Sequence, residues 1–309
     1  MTARTGDTQI TILLGVYGRG AELYLGDQLA SISAQDHAAW SLRVSDDSSD
    51  EAFRDQVEAF ATQVPQHVAY LSGPQAGFAA NYIALAQTAP DGWLAFADQD
   101  DVWYADKLTR AAAALGNLDG PALYCGRVAF WNGASARQVE KRHTRPPAFR
   151  NALIENVARG NTIVLNKAAA ALYREAASRV TDVFAHDWLA YLLISGAGGR
   201  VIYDGGPPLL DYRQHAENEI GAGSGARAQI ARKRAVLKGA FRARMDANLA
   251  ALTACEDMLT PENRDILHRL RVARTTGLAG LPGLARIGLY RQRPLGTLGF
   301  WGASILGRA

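Results

Sequence analysis

Short apolar runs alternate with helix-length segments through the first 130 residues of the chain. The runs are rich in Val, Ile, Leu, Tyr and Trp, and they predict five strands, at residues 10–16, 40–45, 67–72, 93–97 and 122–130. The segments between them have apolar residues three or four positions apart and predict four helices, at residues 21–33, 51–63, 78–87 and 105–115. This alternation is typical of an α/β fold, with a mostly parallel central sheet flanked by helices.

The alternation becomes less regular after residue 130. Residues 132–150 include Pro146-Pro147 and have no periodic apolar spacing, which predicts a loop over the site or a mobile insert. The later elements are predicted in this order: a strand at residues 163–165, a helix that ends near residue 178, a second helix that starts near residue 186, a strand at residues 200–203 and an extended segment at residues 209–215.

The last part of the chain differs from the rest in charge. From Gly221 onward there are fifteen Lys and Arg against five Asp and Glu, a balance of +10, within a chain whose net charge is +3. Three glycines between 221 and 225 predict a hinge. A long amphipathic helix is predicted after it, with apolar positions at Leu237, Phe241, Met245, Leu249 and Leu252 and basic positions at Arg232, Lys233, Arg234, Lys238, Arg242 and Arg244. We therefore predict a domain over 1–220 and a basic helical C-terminal extension over 221–309.

Composition narrows the class of protein. Of the 309 residues, 48% are hydrophobic and 20% are charged, which is typical of a soluble globular protein. No signal peptide is recognised, and no apolar run approaches the ~20 residues that a membrane-spanning helix needs. The two cysteines match no metal or redox spacing, so we expect reduced thiols in a cytoplasmic protein.

The strongest chemical signal is a cluster of carboxylates at the end of one predicted strand. Asp98, Asp100 and Asp101 follow the apolar run Trp93-Leu94-Ala95-Phe96, and unpaired carboxylates beside a buried strand cost several kcal/mol. A divalent cation would offset this cost, and Mg²⁺ or Mn²⁺ typically binds through one or two carboxylates together with substrate phosphates. The spacing Asp98-x-Asp100 therefore suggests a metal–diphosphate site.

A second acidic cluster strengthens this interpretation. Asp46, Asp47 and Asp50 follow the second predicted strand, and Tyr17 follows the first. In open α/β sheets, ligands bind beyond the carboxyl ends of the strands. The two clusters and Tyr17 are therefore expected at one ligand-binding edge.

With these elements in place, the chain resembles the family-2 inverting glycosyltransferases of the GT-A fold. It is most similar to the rhamnosyltransferase-like bacterial members that build O-antigen and other surface polysaccharides. The resemblance covers roughly residues 8 to 220. The resemblance rests on five motifs: ILLGVY at 12–17, VSDDSSD at 44–50, DQDDVWYADKL at 98–108, HDW at 186–188 and YRQH at 212–215.

The resemblance implies a role for each candidate residue on the donor side. Asp100 would hold the Mg²⁺ or Mn²⁺, and Asp98 would contact the metal or the ribose of a nucleoside-diphosphate sugar. Asp47 would contact the base, Tyr17 would line the nucleotide site, and His215 would lie near the diphosphate. Asp47 also fits an ordinary turn or helix-capping role, and His215 fits a structural one.

Asp187 matches the position of the general base in the same family. An inverting transfer needs one carboxylate to take the proton of the attacking hydroxyl. Asp187 would do so from the start of a helix, where capping that helix is the alternative role. His186 is expected to orient Asp187 or to form a wall of the site.

The resemblance implies dTDP-rhamnose or a UDP-hexose as donor and a glycan hydroxyl, in some members lipid-linked, as acceptor. The chain departs from close relatives at Gly15-Val16-Tyr17-Gly18, where a hydroxyl or amide residue is usual, and at Ala216, where glycine is common. The first departure leaves the choice of nucleotide open. For the basic tail we favour an anionic membrane surface, with Leu295–Leu306 as a further interfacial contact, and hence a peripheral position on the inner membrane. An acidic protein partner and a solvated helix face are the alternatives.

Rival interpretations fit the residues less well. A sugar nucleotidylyltransferase needs a longer Gly-rich loop than Gly18-Arg19-Gly20, and a NAD-dependent reductase needs G-x-G-x-x-G at that place. A catalytically degenerate sugar-nucleotide-binding scaffold would be favoured by loss of Asp100 or Asp187, and both are present. Nucleic acid is not expected as a partner, since the acidic front would repel phosphate and the basic tail lacks interleaved aromatic residues.

Overall fold

The computed structural model describes residues 8–18, 22–48, 51, 53–133, 136–214 and 240–307. The strands are β1 (Ile10–Val16), β2 (Trp40–Asp46), β3 (Val68–Ser72), β4 (Trp93–Asp98), β5 (Val102–Trp103), β6 (Ala122–Gly126), β7 (Ala129–Trp131), β8 (Gln138–Val139), β9 (Val164–Leu165), β10 (Arg200–Asp204) and β11 (Leu210–Arg213). The helices are α1 (Glu22–Ser33), α2 (Arg54–Ala61), α3 (Phe78–Thr88), α4 (Lys107–Leu115), α5 (Phe149–Ala152), α6 (Lys167–Ala177), α7 (His186–Gly196), α8 (Ala240–Ala254), α9 (Pro261–Thr275), α10 (Leu281–Ile287) and α11 (Pro294–Ile305).

A seven-stranded sheet forms the centre of the protein, in the order β10-β6-β9-β4-β1-β2-β3. All its strands run parallel except β9, which pairs antiparallel with both β4 and β6. The inner strands are apolar on both sides because each face is covered by a separate hydrophobic cluster. The α/β class and the mostly parallel sheet predicted from the sequence are therefore confirmed.

One predicted strand is divided in two. Residues 122–130 were expected as a single strand, but β6 ends at Gly126 and β7 begins at Ala129. Arg127 accounts for the break, because its guanidinium donates to the carbonyls of Glu140 (2.8 Å) and Gly206 (2.9 Å) and its own carbonyl accepts from Leu209. The chain leaves the large sheet at this point, and a Cβ on Gly126 would lie only 2.7 Å from the Leu209 side chain.

A second, four-stranded sheet, in the order β5-β11-β7-β8, lies next to the acidic turn of β4. β11 pairs antiparallel with β5, which begins directly after Asp101, and parallel with β7. The predicted loop over 132–150 contains β8 and the first residues of α5, so this part of the prediction was wrong in detail. Two short antiparallel pairs, Ala129 with Val139 and Phe130 with Gln138, hold β8 against β7.

The C-terminal helices pack on the same core as the sheet. Met245, Leu249 and Leu252 on α8 are buried in the hydrophobic cluster that includes α7, and Leu267 and Leu270 on α9 belong to it as well. The predicted amphipathic helix is confirmed for Ala240–Ala254. The hinge, the basic positions from 232 to 238 and the proposed boundary at 220/221 lie outside the described residues, and the division into two parts stays a prediction.

Two further findings bear on the sequence analysis. Cys125 and Cys255 are both buried and unpaired, as expected for reduced thiols. Among the helices that the structure describes, none combines the length and the apolar character required to cross a membrane.

Because the C-terminal helices and the sheet pack on one core, we expect them to unfold together. Leu252 is fully buried, so Leu252→Ala should lower the free energy of unfolding by about 2–5 kcal/mol while urea unfolding remains a single transition. The same change at Leu298, an exposed leucine on α11, should alter it by less than about 0.5 kcal/mol. Circular dichroism at increasing urea measures both. A Leu252→Ala protein whose sheet unfolds at the wild-type midpoint would contradict the shared core.

Candidate active site

The two acidic clusters lie at one edge of the large sheet. In the parallel register, Gly15 of β1 pairs with Asp98 of β4, and Val16 pairs with Asp46 of β2. The carboxyl ends of these three strands therefore meet, as the sequence predicted. A ligand bound at this edge would face the turns that follow β1, β2 and β4.

Asp98 is half-buried at the end of β4. Its Oδ1 lies 2.9 Å from the hydroxyl of Tyr82, which is also 2.5 Å from the carbonyl of Ala97. Burial, with the charge of the neighbouring Asp100, raises the pKa of Asp98 to about 7. The carboxylate is thus oriented by the hydroxyl and destabilised by its surroundings, a combination that favours a cation beside it.

Asp101 has a different environment from the other two carboxylates. It is fully buried, and its Oδ2 accepts a hydrogen bond of 2.6 Å from the side-chain amide of Asn161. The buried ammonium of Lys107 donates to the carbonyl of Asn161 (2.8 Å) and lies over the ring of Trp103. Burial raises the pKa of Asp101 and lowers that of Lys107. Asp101 is therefore a structural residue, bonded within the fold.

Asp98 and Asp100 fit a divalent cation whose remaining ligands come from elsewhere. Within the described residues, no group of three or more His, Cys, Asp or Glu side chains is placed to enclose a metal ion. Mg²⁺ is characteristically held by one or two carboxylates plus phosphate oxygens and water, and two hard oxygen donors match that pattern. A pair of carboxylates suits a cation that arrives with a diphosphate.

Asp47 holds the loop that leads into α3. Its Oδ1 accepts from the backbone N–H of Gln75 (2.6 Å) and its Oδ2 from that of Gly77 (2.9 Å). Gly77 precedes the first residue of α3 and has φ 91°, a conformation that favours glycine. Of the two structural roles considered from the sequence, the turn role is thus present, in the loop before α3, and the helix after β2 has no side-chain cap at its described N-cap residue, Phe53.

Tyr17 lies at the rim, with its side chain 58% exposed. Its backbone is held by Gln99, whose Oε1 accepts from the Tyr17 N–H (2.7 Å) and whose Nε2 donates to the Tyr17 carbonyl (2.9 Å). This paired contact joins the turn after β1 to the acidic turn after β4. No role was predicted for Gln99 from its position in the sequence.

Asp187 is the second residue of α7 and faces the same edge. Its Oδ2 accepts from the N–H of Gly160 (3.0 Å), and its Oδ1 accepts from the N–H of Trp188 (2.6 Å). Burial raises the pKa of Asp187 to about 6, against the opposing effect of these hydrogen bonds and of Arg159. The charge of Asp187 in turn raises the pKa of Asp98, so the two carboxylates share one site.

His186 is a buried wall residue. Its ring stacks on Tyr82 at a centroid distance of 3.8 Å, with the edges of Phe78 and Phe96 against it. In the part of the chain that the structure describes, neither ring nitrogen has a hydrogen-bond partner. Burial lowers the pKa of His186 to about 3, so the ring is neutral. His186 thus packs directly against Tyr82, the hydrogen-bond partner of Asp98.

His215 lies outside the described residues. Arg213, two positions earlier, donates from Nε to the carbonyl of Asp100 (3.0 Å) and from its terminal nitrogen to Asp27 (2.7 Å). The end of β11 is therefore attached to the acidic turn.

Several residues that shape the site were not assigned from the sequence. Tyr82, Lys107 and Asn161 come from elements far apart in the chain, and nothing in their local spacing indicates a common site. The position of Lys107 could have indicated its role. It lies in the first turn of a helix that follows the acidic turn, where a lysine can reach the carboxylates of that turn.

Comparison with known proteins agrees with this geometry. The model of the family described as Glycosyl transferase family 2 matches residues 11–181, more than half of the chain. A dTDP-rhamnosyl transferase, RfbG of Shigella flexneri, is 24% identical over 220 residues, which are 68% of this chain and 75% of the relative.

Solved structures share the fold. The S. aureus protein TarS (residues 1–349), in complex with UDP-GlcNAc, has a TM-score of 0.57 at 14% identity, covering 90% of this chain and 79% of that one. The mannosyltransferase PcManGT of Pyrobaculum calidifontis, in complex with GDP-Man and Mn²⁺, has a TM-score of 0.52 at 18% identity, covering 98% and 86%. The chain therefore belongs to glycosyl transferase family 2 and is a nucleotide-sugar-dependent glycosyltransferase with the GT-A fold.

Proposed function

We propose that this protein is a metal-dependent, inverting glycosyltransferase that moves a sugar from a nucleoside-diphosphate donor to a hydroxyl of a glycan acceptor. The observation that carries the proposal is the placement of Asp98 and Asp100 in one site with Asp187. Two carboxylates at the end of β4 suit a cation–diphosphate, and a third on α7 suits a proton acceptor. Transfer with inversion needs both functions.

On the donor side, Asp100 and Asp98 would hold Mg²⁺ or Mn²⁺. When bound, the cation would neutralise negative charge that develops on the departing diphosphate. The Tyr82 hydroxyl orients Asp98, and Gln99 keeps the turn after β1 against the acidic turn. Tyr17 would border the nucleotide, and Asp47 would present its remaining acceptor capacity to the base. His215 is proposed near the diphosphate, because Arg213 already contacts the acidic turn.

On the acceptor side, Asp187 would take the proton of the attacking hydroxyl. Its pKa of about 6 leaves it mainly ionised at neutral pH while keeping it basic enough to accept a proton. The N–H groups of Gly160 and Trp188 hold both carboxylate oxygens in place.

The name of the Shigella relative supports dTDP-rhamnose as the first donor to test, with UDP-hexoses next. The structural neighbours are too distant in sequence to choose a donor. A glycan acceptor in bacterial surface polysaccharide synthesis is proposed from the resemblance of the sequence motifs to the rhamnosyltransferase-like members of the family. Residence in the cytoplasm, with the basic segment around 232–244 against an anionic inner-membrane surface, completes the proposal.

The test is Asp187→Asn, after a panel of dTDP-, UDP- and GDP-sugars with Mn²⁺ has identified the donor by release of nucleoside diphosphate. Donor affinity should stay within about threefold of wild type, whereas turnover should fall at least about 100-fold because no carboxylate accepts the proton. The exposed Asp182 provides the matched control, and Asp182→Asn should be fully active.

The pH profile gives the same proposal a second readout. A protonated Asp187 cannot act as base, so the wild-type turnover should fall as the pH drops through about 6, approaching tenfold per pH unit below it. An Asp187→Asn protein with wild-type turnover would remove Asp187 as base.

A further inference from the structure

The outer face of α11 is a continuous apolar surface. Leu295, Leu298 and Ile305 are 80%, 65% and 55% exposed, and Leu306, directly after the helix, is 64% exposed. Exposed Gly299 and Gly302 fill the positions between them, and no charged residue occurs from Pro294 to Gly307. Isolated exposed leucines are common in soluble proteins, but a helix whose whole outer face is apolar marks an interaction surface.

The helix is held firmly enough for this face to be a property of the fold. Phe300 and Ala303, on the opposite side of α11, are buried in the main core. Phe300 meets Phe241 of α8 edge-on, and the Arg242 guanidinium donates to the carbonyl of Gly307 at 3.0 Å. The turn 277–280 packs beside α11 and adds Leu278, which is 65% exposed.

The C-terminal segment that carries this surface contributes only basic charged side chains. Residues 266–309 contain seven arginines and neither Asp nor Glu. Arg286 and Arg293 are exposed on the elements that lead into α11. An apolar helical face flanked by arginines has the composition of helices that lie in the interface of an anionic bilayer, with leucines among the acyl chains and arginines at the headgroups.

We propose that the outer face of α11, with Leu278, binds the surface of an anionic lipid bilayer. A second copy of the chain is the competing occupant, and charge argues against it. In a symmetric dimer this surface would contact the same surface of the second copy. Two segments that carry arginines and neither Asp nor Glu would then face each other, and like charges repel. Four of the seven arginines (Arg269, Arg271, Arg274 and Arg291) already pair with carboxylates outside residues 266–309. The lipid phosphates instead pair with Arg286 and Arg293.

The position of α11 connects this surface to the acceptor side of the protein. Just before the helix, the carbonyl of Tyr290 accepts from Asn151 of α5, and the N–H of Gln292 donates to Glu155. Ala152 of α5 in turn accepts from the indole of Trp188, the neighbour of Asp187. A bilayer bound at α11 is thus two packed elements away from Asp187. This proposal refines the inner-membrane position proposed above and rests on it, whereas sugar transfer is a separate property that can hold or fail independently.

The test is co-sedimentation of the full-length chain with vesicles of phosphatidylcholine alone or of equal parts phosphatidylcholine and phosphatidylglycerol. Wild type should bind the mixed vesicles, bind the neutral ones more weakly, and lose affinity as salt is raised. Leu295→Ser/Leu298→Ser should weaken partitioning at least about tenfold. Arg286→Gln/Arg293→Gln should weaken it to a similar extent on the mixed vesicles only.

Leu23→Ser is the matched control, because Leu23 on α1 is 79% exposed and lies on a different element. It should bind vesicles like wild type, and circular dichroism should confirm that every variant is folded. The proposal is overturned if wild type sediments no more with mixed vesicles than without them, or if Leu23→Ser loses as much binding as the α11 variant. A wild-type dimer by light scattering that Leu295→Ser/Leu298→Ser converts to monomer would assign the surface to a second copy instead.

Discussion

The structure depends on how it accommodates the buried carboxylate of Asp101. An unpaired charge at this depth costs several kcal/mol, yet the fold surrounds it with one amide, from Asn161, and a buried ammonium, Lys107, that is bonded to the same residue. This arrangement fixes the turn after β4. Because the turn is fixed from beneath, Asp98 and Asp100 are held at the edge of the sheet.

The same short segment also positions the proposed base. Gly160 donates to Asp187, and the next residue, Asn161, donates to Asp101. A Cβ on Gly160 would lie 2.9 Å from the ring of His186, so only glycine fits without displacement. The proposed base and the buried carboxylate that anchors the acidic turn are therefore held by consecutive residues, which fixes the start of α7 relative to that turn. Because these groups are in position before the substrate binds, stabilisation of the leaving group and removal of the proton can occur in the same step.

Local patterning predicted most of the sheet, because β1 and β4 are continuous apolar runs that end in polar turns. It also brought Asp47 and Asp98 to attention, whereas Asp187 was singled out by the family resemblance. It failed where long-range contacts decide: Arg127 divides one predicted strand by bonding to Glu140 and Gly206, and Asn161 meets Asp101 across 60 residues. It also attributed the acidic density after β4 wholly to a ligand, whereas Asp101 is taken up by the fold.

The central claim is that the protein binds its donor through a cation held at Asp98 and Asp100. Isothermal titration of the donor into wild type and into Asp100→Asn, each with Mn²⁺ and with chelator, tests it most directly. The account predicts that Mn²⁺ tightens donor binding to wild type at least about tenfold, and that Asp100→Asn binds equally weakly under both conditions. Equal affinity of wild type with and without the cation would contradict the account.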